Sequence, residues 1–410
     1  MSTEFLPIIL GSDENAYGMA RAFHQRYGIK SLLVCRLQLA ATKNSRILDI
    51  VCIDRFDSDE VFLPALVEVL AAHPEPKILI PCSDRYLQLV VQNSAVLEPY
   101  IANRFISSDL LDQVVTKQRF YELCDQYGLR YPQTVVCPPE RRLQVLEELP
   151  FGFPMVIKAN NSNSFEYLHS TVADKQKAYF VRTADEFTKI MQNLNASDYT
   201  DNLIIQEFIP GDDTAMRVMN CYSNRQGKVK LMCLGHPILE EYTPLNAGNY
   251  AAIISDSDTS LYQQIQAFLE EIGFVGFSNF DLKFDNRTGQ YVLFEINPRQ
   301  GRSSFYVTAA GYNMAEFIAQ DVIFGEDNEP VYADKQHLWL SIPKSILYKY
   351  VQNAQAKTKL RQLIRSNQYT YTLFYKPDFS VQRWLRMQRY LMRHHQDYKQ
   401  YYFDKGALSV

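Results

Sequence analysis

Glycine is scarce in this chain, 16 of 410 residues, and where it falls excludes two common nucleotide-binding devices. There is no G-x-x-x-x-G-K-[ST] loop and no G-x-G-x-x-G run, so any nucleotide is bound without a P-loop or the dinucleotide fingerprint. A dehydrogenase built on the N-terminal region loses its main support by the same absence. No C-x-x-C pair occurs: the seven cysteines are odd in number, scattered, and mostly inside apolar runs. They read as buried thiols in a reducing cytosol, and the cytoplasm is the expected location. No apolar run approaches the length of a membrane span. The opening "MSTEFLPIILGSDEN" lacks a basic start and its apolar stretch stops at Gly11, which does not read as a signal peptide. Positive charge is not in excess either. A net charge of -4 argues against a general nucleic-acid binder, and no nucleic-acid partner is expected.

What remains is an ordinary globular composition, 47% hydrophobic and 21% charged, long enough for two or three domains. The first 110 residues alternate short apolar runs with helical patterns. "FLPIIL" leads through Gly11-Ser12-Asp13 into "NAYGMARAFHQRYG"; "SLLVC", "ILDIVCI" and the helical "DEVFLPALVEVLAAH" follow; "KILIPC" leads through Ser83-Asp84 into another helix. This rhythm predicts a parallel, doubly wound sheet. The two strand-to-helix turns, with Ser12, Asp13, Ser83 and Asp84, fall at its carboxyl edge, where ligands bind in open α/β sheets. The same residues also suit plain helix capping.

From about residue 111 the pattern changes. "DLLDQVVTKQRFYELCDQYG" reads as one amphipathic helix carrying Lys117 and ending at Gly128, and "FPMVIKANNSNSF" as a buried strand with Lys158 at its end. A helix near residues 184–194 precedes "NLIIQEFIPGDD", a strand closing in a Pro-Gly turn with two aspartates. A β-rich stretch covers residues 216–298, and helical pieces follow from about residue 328.

Within the β-rich stretch, "YVLFEINPRQGRSSF" begins as a strand whose alternation puts Val292, Phe294 and Ile296 on one face and Leu293, Glu295 and Asn297 on the other. Upstream, "FSNFDLKFDNRTG" reads as its hairpin partner, with Asp281 and Lys283 opposite Phe280, Leu282 and Phe284. Paired, the strands bring Asp281, Glu295 and Asn297 to one spot, an all-oxygen set suited to a hard cation such as Mg2+. A solvated edge hairpin fits the same pattern.

Lys117 on a helix, Lys158 at a strand end, Gln-Glu-Phe-Ile-x-Gly-x-Asp at residues 206–213, and the Asp281/Glu295/Asn297 set occur in a fixed order. Together they resemble the ATP-grasp superfamily of carboxylate–amine ligases. Within it the chain looks most like the D-aspartate ligases of cell-wall synthesis, through "FLPIILGSDENAYGMAR", "PFGFP", "QEFIPGDD", "MCLGHPILE" and "LFEINPRQGRSS". The resemblance implies an α/β and α+β chain: a Rossmann-like parallel-sheet domain (1–110), two ATP-grasp subdomains (111–200 and 201–327, the latter with the metal site) and a C-terminal helical extension (328–410). It implies ATP and Mg2+ as cofactors. Lys117 and Lys158 would contact phosphates; Gln206, Glu207, Phe208 and Ile209 would meet the adenine, Asp213 the ribose, and Asp281, Glu295 and Asn297 the metal. Arg299 would stabilise transferring phosphate or an oxyanion, and Arg217 would reach the phosphates. Arg302, with Ser303 and Ser304, would grip the α-carboxylate of an amino acid, and Ser12, Asp13, Ser83 and Asp84 would complete the substrate site.

The substrates implied are D-aspartate and the stem-peptide lysine of a peptidoglycan precursor. A ligase for another amino acid or a dipeptide, or a nucleotide sensor without turnover, are the alternatives. His236 is a candidate for proton transfer against a structural role, and "GHPILEEYTPLNAGNY" reads as a polar loop long enough to cover a site. The loop at residues 160–165 has no glycine, unlike many phosphate-covering loops of that superfamily. In the tail, Arg383, Arg386, Arg389 and Arg393 recur at helical spacing, a basic stripe suited to a substrate diphosphate, a membrane-attached precursor or a solvated face. Oligomeric state is not set by any of these features.

Overall fold

The computed structural model describes residues 5–161, 164–243, 246 and 248–403. The chain divides into two compact units, one of Met1–Leu111, Asp212–Phe280 and Asn297–Val410, the other of Asp112–Gly211 and Asp281–Ile296.

In the first unit the expected parallel sheet is present, in the order Leu48–Cys52, Ser31–Cys35, Leu6–Leu10, Lys77–Pro81. Ile8, Ile9, Leu10, Leu79 and Ile80 are buried, as continuous apolar runs must be when both sheet faces are covered. Leu6–Leu10 and Lys77–Pro81 are adjacent and parallel, so their following turns emerge at one edge. Gly11 makes the first turn at φ +127, a region open to glycine; a Cβ there would also meet the Cys82 Cβ at 3.3 Å.

A second sheet of this unit runs Gly276–Asp285, Met216–Ser223, Val229–Glu240, Tyr250–Asp256, Leu338–Leu340, Tyr369–Tyr371, with Val331–Tyr332 beside Val229–Glu240. The C-terminal stretch therefore supplies strands as well as helices, because Leu338, Trp339 and Leu340 are buried against this sheet. The stretch holding His236 also departs from its loop reading. Residues through Glu240 are strand, since Ile238, Leu239 and Glu240 are buried. Only 241–249 connect the strands, and Pro244, Leu245 and Ala247 lie outside the described residues.

The second unit carries an antiparallel sheet, Thr134–Cys137, Leu203–Glu207, Met155–Ala159, Tyr179–Val181. Its core joins Ile157, Val181 and Ile205 to Phe187 and Met191 from the helix Ala184–Asn195. The hairpin Gly276–Asp285/Gln290–Asn297 forms as its alternation predicts, and its residues 281–296 count with this unit.

One expected helix is two. Ser108–Val115 and Lys117–Gln126 are separated at Thr116, whose φ -85 and ψ 114 are extended. The amphipathic period continues across the break, so hydrophobicity alone does not reveal it. The new helix start is satisfied from a distant segment: Lys117 N donates to the Asn160 carbonyl and Gln118 N to Asn160 Oδ1, at 3.2 and 3.1 Å.

The C-terminal helix Val381–Tyr401 is as expected, but its basic stripe is not continuous. Arg383 is buried, with Nε 3.0 Å from Asp378 and Nη1 donating to the Ala41 and Lys43 carbonyls. Asp378 also accepts from Tyr17 and Ser45 hydroxyls. A buried charge needs such partners; Asp378 is five positions away, but the carbonyls that complete the Arg383 shell and the hydroxyls on Asp378 come from residues more than 300 positions away.

Candidate active site

In the second unit the helix break places Lys117 on the first turn, at the end of a helix that favours anions. Its Nζ is 3.9 Å from Glu295 Oε2, and Lys177 Nζ is 3.9 Å from Glu295 Oε1. Lys158 Nζ lies over the Phe294 ring at 5.1 Å from its centre. Asp281 is within hydrogen-bonding reach of Glu295. Lys177 first, then Lys117 and Lys158, hold the Glu295 carboxyl well below the usual carboxylate range although it is partly buried. Burial, reinforced by Lys117, pulls Lys158 down to about 8. The structure thus gathers Lys117, Lys158, Asp281 and Glu295. Lys177 and Phe294 join them, which the sequence did not single out as site residues; no local pattern marks an exposed lysine on a connection as a partner of Glu295.

These residues fit a hard divalent cation. Two carboxylates within reach of each other repel unless a cation or proton sits between them, and Asn297, two residues after Glu295 on the same strand, projects from the same face. Among the described residues no group of three or more His, Cys, Asp or Glu could hold a metal. Two carboxylates and an amide match instead an ion that keeps waters and substrate phosphates in its shell, as Mg2+ does.

The expected adenine segment is also in this unit. Gln206 Nε2 donates to Thr134 Oγ1 at 2.8 Å, and Glu207 is held by the Gln133 amide and by Arg287. Phe208 N donates to the Pro154 carbonyl, and the Ile209 carbonyl accepts from Lys283 Nζ at 2.7 Å. Lys283 reads in sequence as a polar-face neighbour of Asp281. In the structure it is buried, donating also to the Gly211 carbonyl and lying over the Phe208 ring. It braces the segment 208–211. Of the loop at 160–165, Asn160 anchors the Lys117 helix as described; Ser162, Asn163 and the Phe165 side chain lie outside the described residues.

The first unit holds the remaining candidates. Asp213 is buried, its Oδ2 accepting from the Glu240 amide at 2.9 Å and the Tyr242 hydroxyl at 2.7 Å. Arg217 Nη1 donates to the Thr214 and Met216 carbonyls, with Nε 3.8 Å from Asp256. Burial, reinforced by Arg217, pulls His236 down to about 4. It is neutral at pH 7, with Nε2 2.8 Å from the Thr214 carbonyl, which suits a structural role.

At the carboxyl edge of the parallel sheet, Ser12 donates to the Leu37 carbonyl at 2.5 Å, Asp13 accepts from Ala16 N, and Ser83 accepts from Tyr86 N. Asp13 and Ser83 therefore cap their helices. Asp84 receives Arg299 Nε at 2.6 Å, which fixes the guanidinium against the start of a helix.

Arg302 Nη2 is 3.1 Å from Glu241 Oε1 and 3.4 Å from the Tyr390 hydroxyl. Glu14, also buried, lies close enough for its charge to act on Arg302, and Glu14 Oε1 has no hydrogen-bond partner among the described residues. Ser303 and Ser304 are buried beside it, and Ser304 makes no side-chain capping bond to the following helix. Gly301 is required here by space alone: a Cβ would stand 2.3 Å from Asn279 Oδ1. Glu241 and Glu14 escape sequence reading because both fall in stretches that look like solvated helix start and loop.

Burial, aided by Glu241 and opposed by Arg302, pushes Glu14 up to about 7 from an ordinary value of 4.5. Between those values the folded chain holds a proton that the unfolded chain has lost. Glu14's contribution to stability is therefore complete below about 4.5 and declines as pH rises through 7. A Glu14→Gln variant is expected to flatten that limb of a Tm–pH profile; an unchanged slope would contradict the buried carboxyl.

No family model matches the chain. It is 40% identical, over 413 residues spanning 98% of each chain, to a D-aspartate ligase of Enterococcus faecium (strain Aus0004). Among solved structures it is similar to an L-amino acid ligase from Bacillus licheniformis, with TM-score 0.54 and 14% identity over 78% of this chain and 74% of that one. It is also similar to the ADP complex of an N5-carboxyaminoimidazole ribonucleotide synthetase, with TM-score 0.61 and 14% identity over 89% and 97%. At such low identity the two solved structures speak to the fold alone, and the fold is that of ATP-grasp ligases.

Proposed function

Because the chain belongs to the D-aspartate ligase family and is an ATP-dependent carboxylate–amine ligase, we propose that it activates the β-carboxylate of D-aspartate as an acyl phosphate. The side-chain amine of the stem-peptide lysine in a peptidoglycan precursor then attacks, giving an amide, ADP and phosphate. The observation that carries this reading is the grouping of Lys117, Lys158 and Lys177 around Glu295 and Asp281.

A carboxylate is a poor electrophile and is repelled by the ATP phosphates it must attack. Lys117 and Lys158 oppose that repulsion as cations. Asp281, Glu295 and Asn297 would hold Mg2+, which would supply further charge neutralisation at the transferring phosphoryl group. The adenine is assigned to Gln206, Glu207, Phe208 and Ile209, the ribose to Asp213, and a phosphate contact to Arg217.

Arg299, oriented by Asp84, donates to charge developing on phosphate or on the tetrahedral oxyanion; one such donor is worth about 2.7–4 kcal/mol. Arg302, with Ser303 and Ser304, receives the α-carboxylate, while Glu241 and Glu14 beside it offer the opposite charge to an amino acid's ammonium group. Ser12, Asp13 and Ser83 complete the substrate edge. All seven cysteines are free thiols, in keeping with work in a reducing cytoplasm.

The test is ADP release by the purified protein with ATP and Mg2+, crossing D-aspartate, L-aspartate and D-alanine against a lysine-containing stem peptide. D-aspartate with the peptide should give the only strong stimulation, with a product heavier by one aspartyl residue. No D-aspartate-dependent turnover would overturn the substrate assignment.

A further inference from the structure

Among the described residues no helix is long and apolar enough to cross a membrane, but the C-terminal helix Val381–Tyr401 is divided lengthwise in a way that packing does not explain. One face is buried: Arg383, Met387, His394 and Tyr398. A second is apolar yet open, with Val381 64%, Trp384 43%, Leu385 46% and Met392 61% exposed. At about 100° per residue these four fall in a single arc of roughly 100°, which Gln388, His395 and Lys399 share. Arg389, Arg393 and Arg386 follow in the next arc, the first two exposed and the third partly so, beside Asn44. The helix contains one carboxylate, Asp397, and it is not among the exposed residues. Phe379, just ahead of the helix, is exposed as well.

We propose that this face docks the enzyme on an anionic lipid surface, the helix lying in the plane of the interface. Val381, Trp384, Leu385 and Met392 enter the boundary between headgroups and acyl chains, and Arg389, Arg393 and Arg386 meet lipid phosphates. An interfacial helix has this composition: an aromatic and aliphatic strip, an arginine strip beside it, and too little apolar length to span. The charge selects the occupant. A second copy brought face to face would set arginine strip near arginine strip, whereas an anionic bilayer complements both strips at once. The chain as a whole is acidic, at -4, so its net charge does not by itself draw it to an anionic surface. A surface-docked enzyme would meet membrane-attached acceptors without diffusing from bulk solution.

The chain carries its own probe, since of its two tryptophans Trp339 is buried and Trp384 is on the proposed face. Full-length protein is titrated with vesicles of phosphatidylcholine alone and of phosphatidylcholine with 30% phosphatidylglycerol. The anionic vesicles should co-sediment the protein and shift its tryptophan emission to shorter wavelength, and high salt should weaken both effects. Arg389→Gln with Arg393→Gln should weaken binding roughly five-fold for each arginine, and Leu385→Gln with Met392→Gln should remove the emission shift. These positions are exposed, so thermal stability and ADP release in solution should stay at wild-type values.

Absence of binding to anionic vesicles would overturn the proposal. So would equal binding by the arginine variant, or self-association of the wild type that the apolar substitutions abolish. The vesicle assay involves no turnover, so its failure is distinguishable from failure of the ligase reading.

Discussion

Glu295→Ala is expected to lower ATP-dependent ADP formation by on the order of 10^3-fold while leaving the far-ultraviolet circular dichroism unchanged. The expectation follows from where the carboxylate stands. It faces Lys117 and Lys177, both at 3.9 Å, with Asp281 in reach. Its removal leaves one carboxylate and an amide where a divalent cation needs more anionic charge. It also leaves three lysines with less to offset them. Lys158, already pulled down to about 8 by burial and Lys117, loses an attractive neighbour and moves lower, so fewer molecules carry the cation meant for phosphate at neutral to mildly alkaline pH. Single-turnover ADP formation, measured with metal in excess, separates loss of chemistry from loss of product release. Activity within ten-fold of wild type would contradict the placement of the metal at this strand.

Arg302→Met is expected to have the second large effect, on stability as well as activity. The guanidinium is the cation facing Glu241 at 3.1 Å, and Glu14 also acts on it. Both carboxylates are buried. Removing one partner of a buried pair leaves an uncompensated charge and typically costs about 3–5 kcal/mol. Part of that is relieved as Glu14, already near 7, takes up a proton more readily. Urea unfolding gives the loss directly. Adding Glu241→Gln to Arg302→Met should recover much of the stability, because the stranded charge goes with it. The double variant should still fail to saturate with D-aspartate, since no cation is left for the α-carboxylate. A single variant as stable as wild type would show that Glu241 is not held by this contact, and restored saturation in the double variant would move the carboxylate site elsewhere.

The elements that sequence reading found share a cause. The strands at residues 6–10, 77–81 and 290–297 are short apolar or alternating runs closed by turn residues, so period and punctuation lie within a few positions. Lys158 at a strand end and the Glu295/Asn297 pair on one face follow from that local geometry. What was missed depends on partners far along the chain. The helix breaks at Thr116 because Asn160 receives its first amides. Lys283, placed on a polar face by alternation, is instead buried against the carbonyls of Ile209 and Gly211. Arg383 leaves the basic stripe for a buried site completed by the Ala41 and Lys43 carbonyls.

By itself, then, the sequence determined the order of strands and helices in the first 110 residues, the absence of a glycine-built phosphate loop, and the oxygen-rich face of one strand, because side-chain alternation and backbone restrictions act over a few residues. Only the tertiary structure decided which charges are opposed and which are left outward. Lys177 meets Glu295, Glu241 and Glu14 accompany Arg302, and Val381, Trp384, Leu385 and Met392 remain uncovered beside three arginines. Burial and Coulomb interaction depend on distance through space, and a charged residue's spacing along the chain does not reveal what lies across from it.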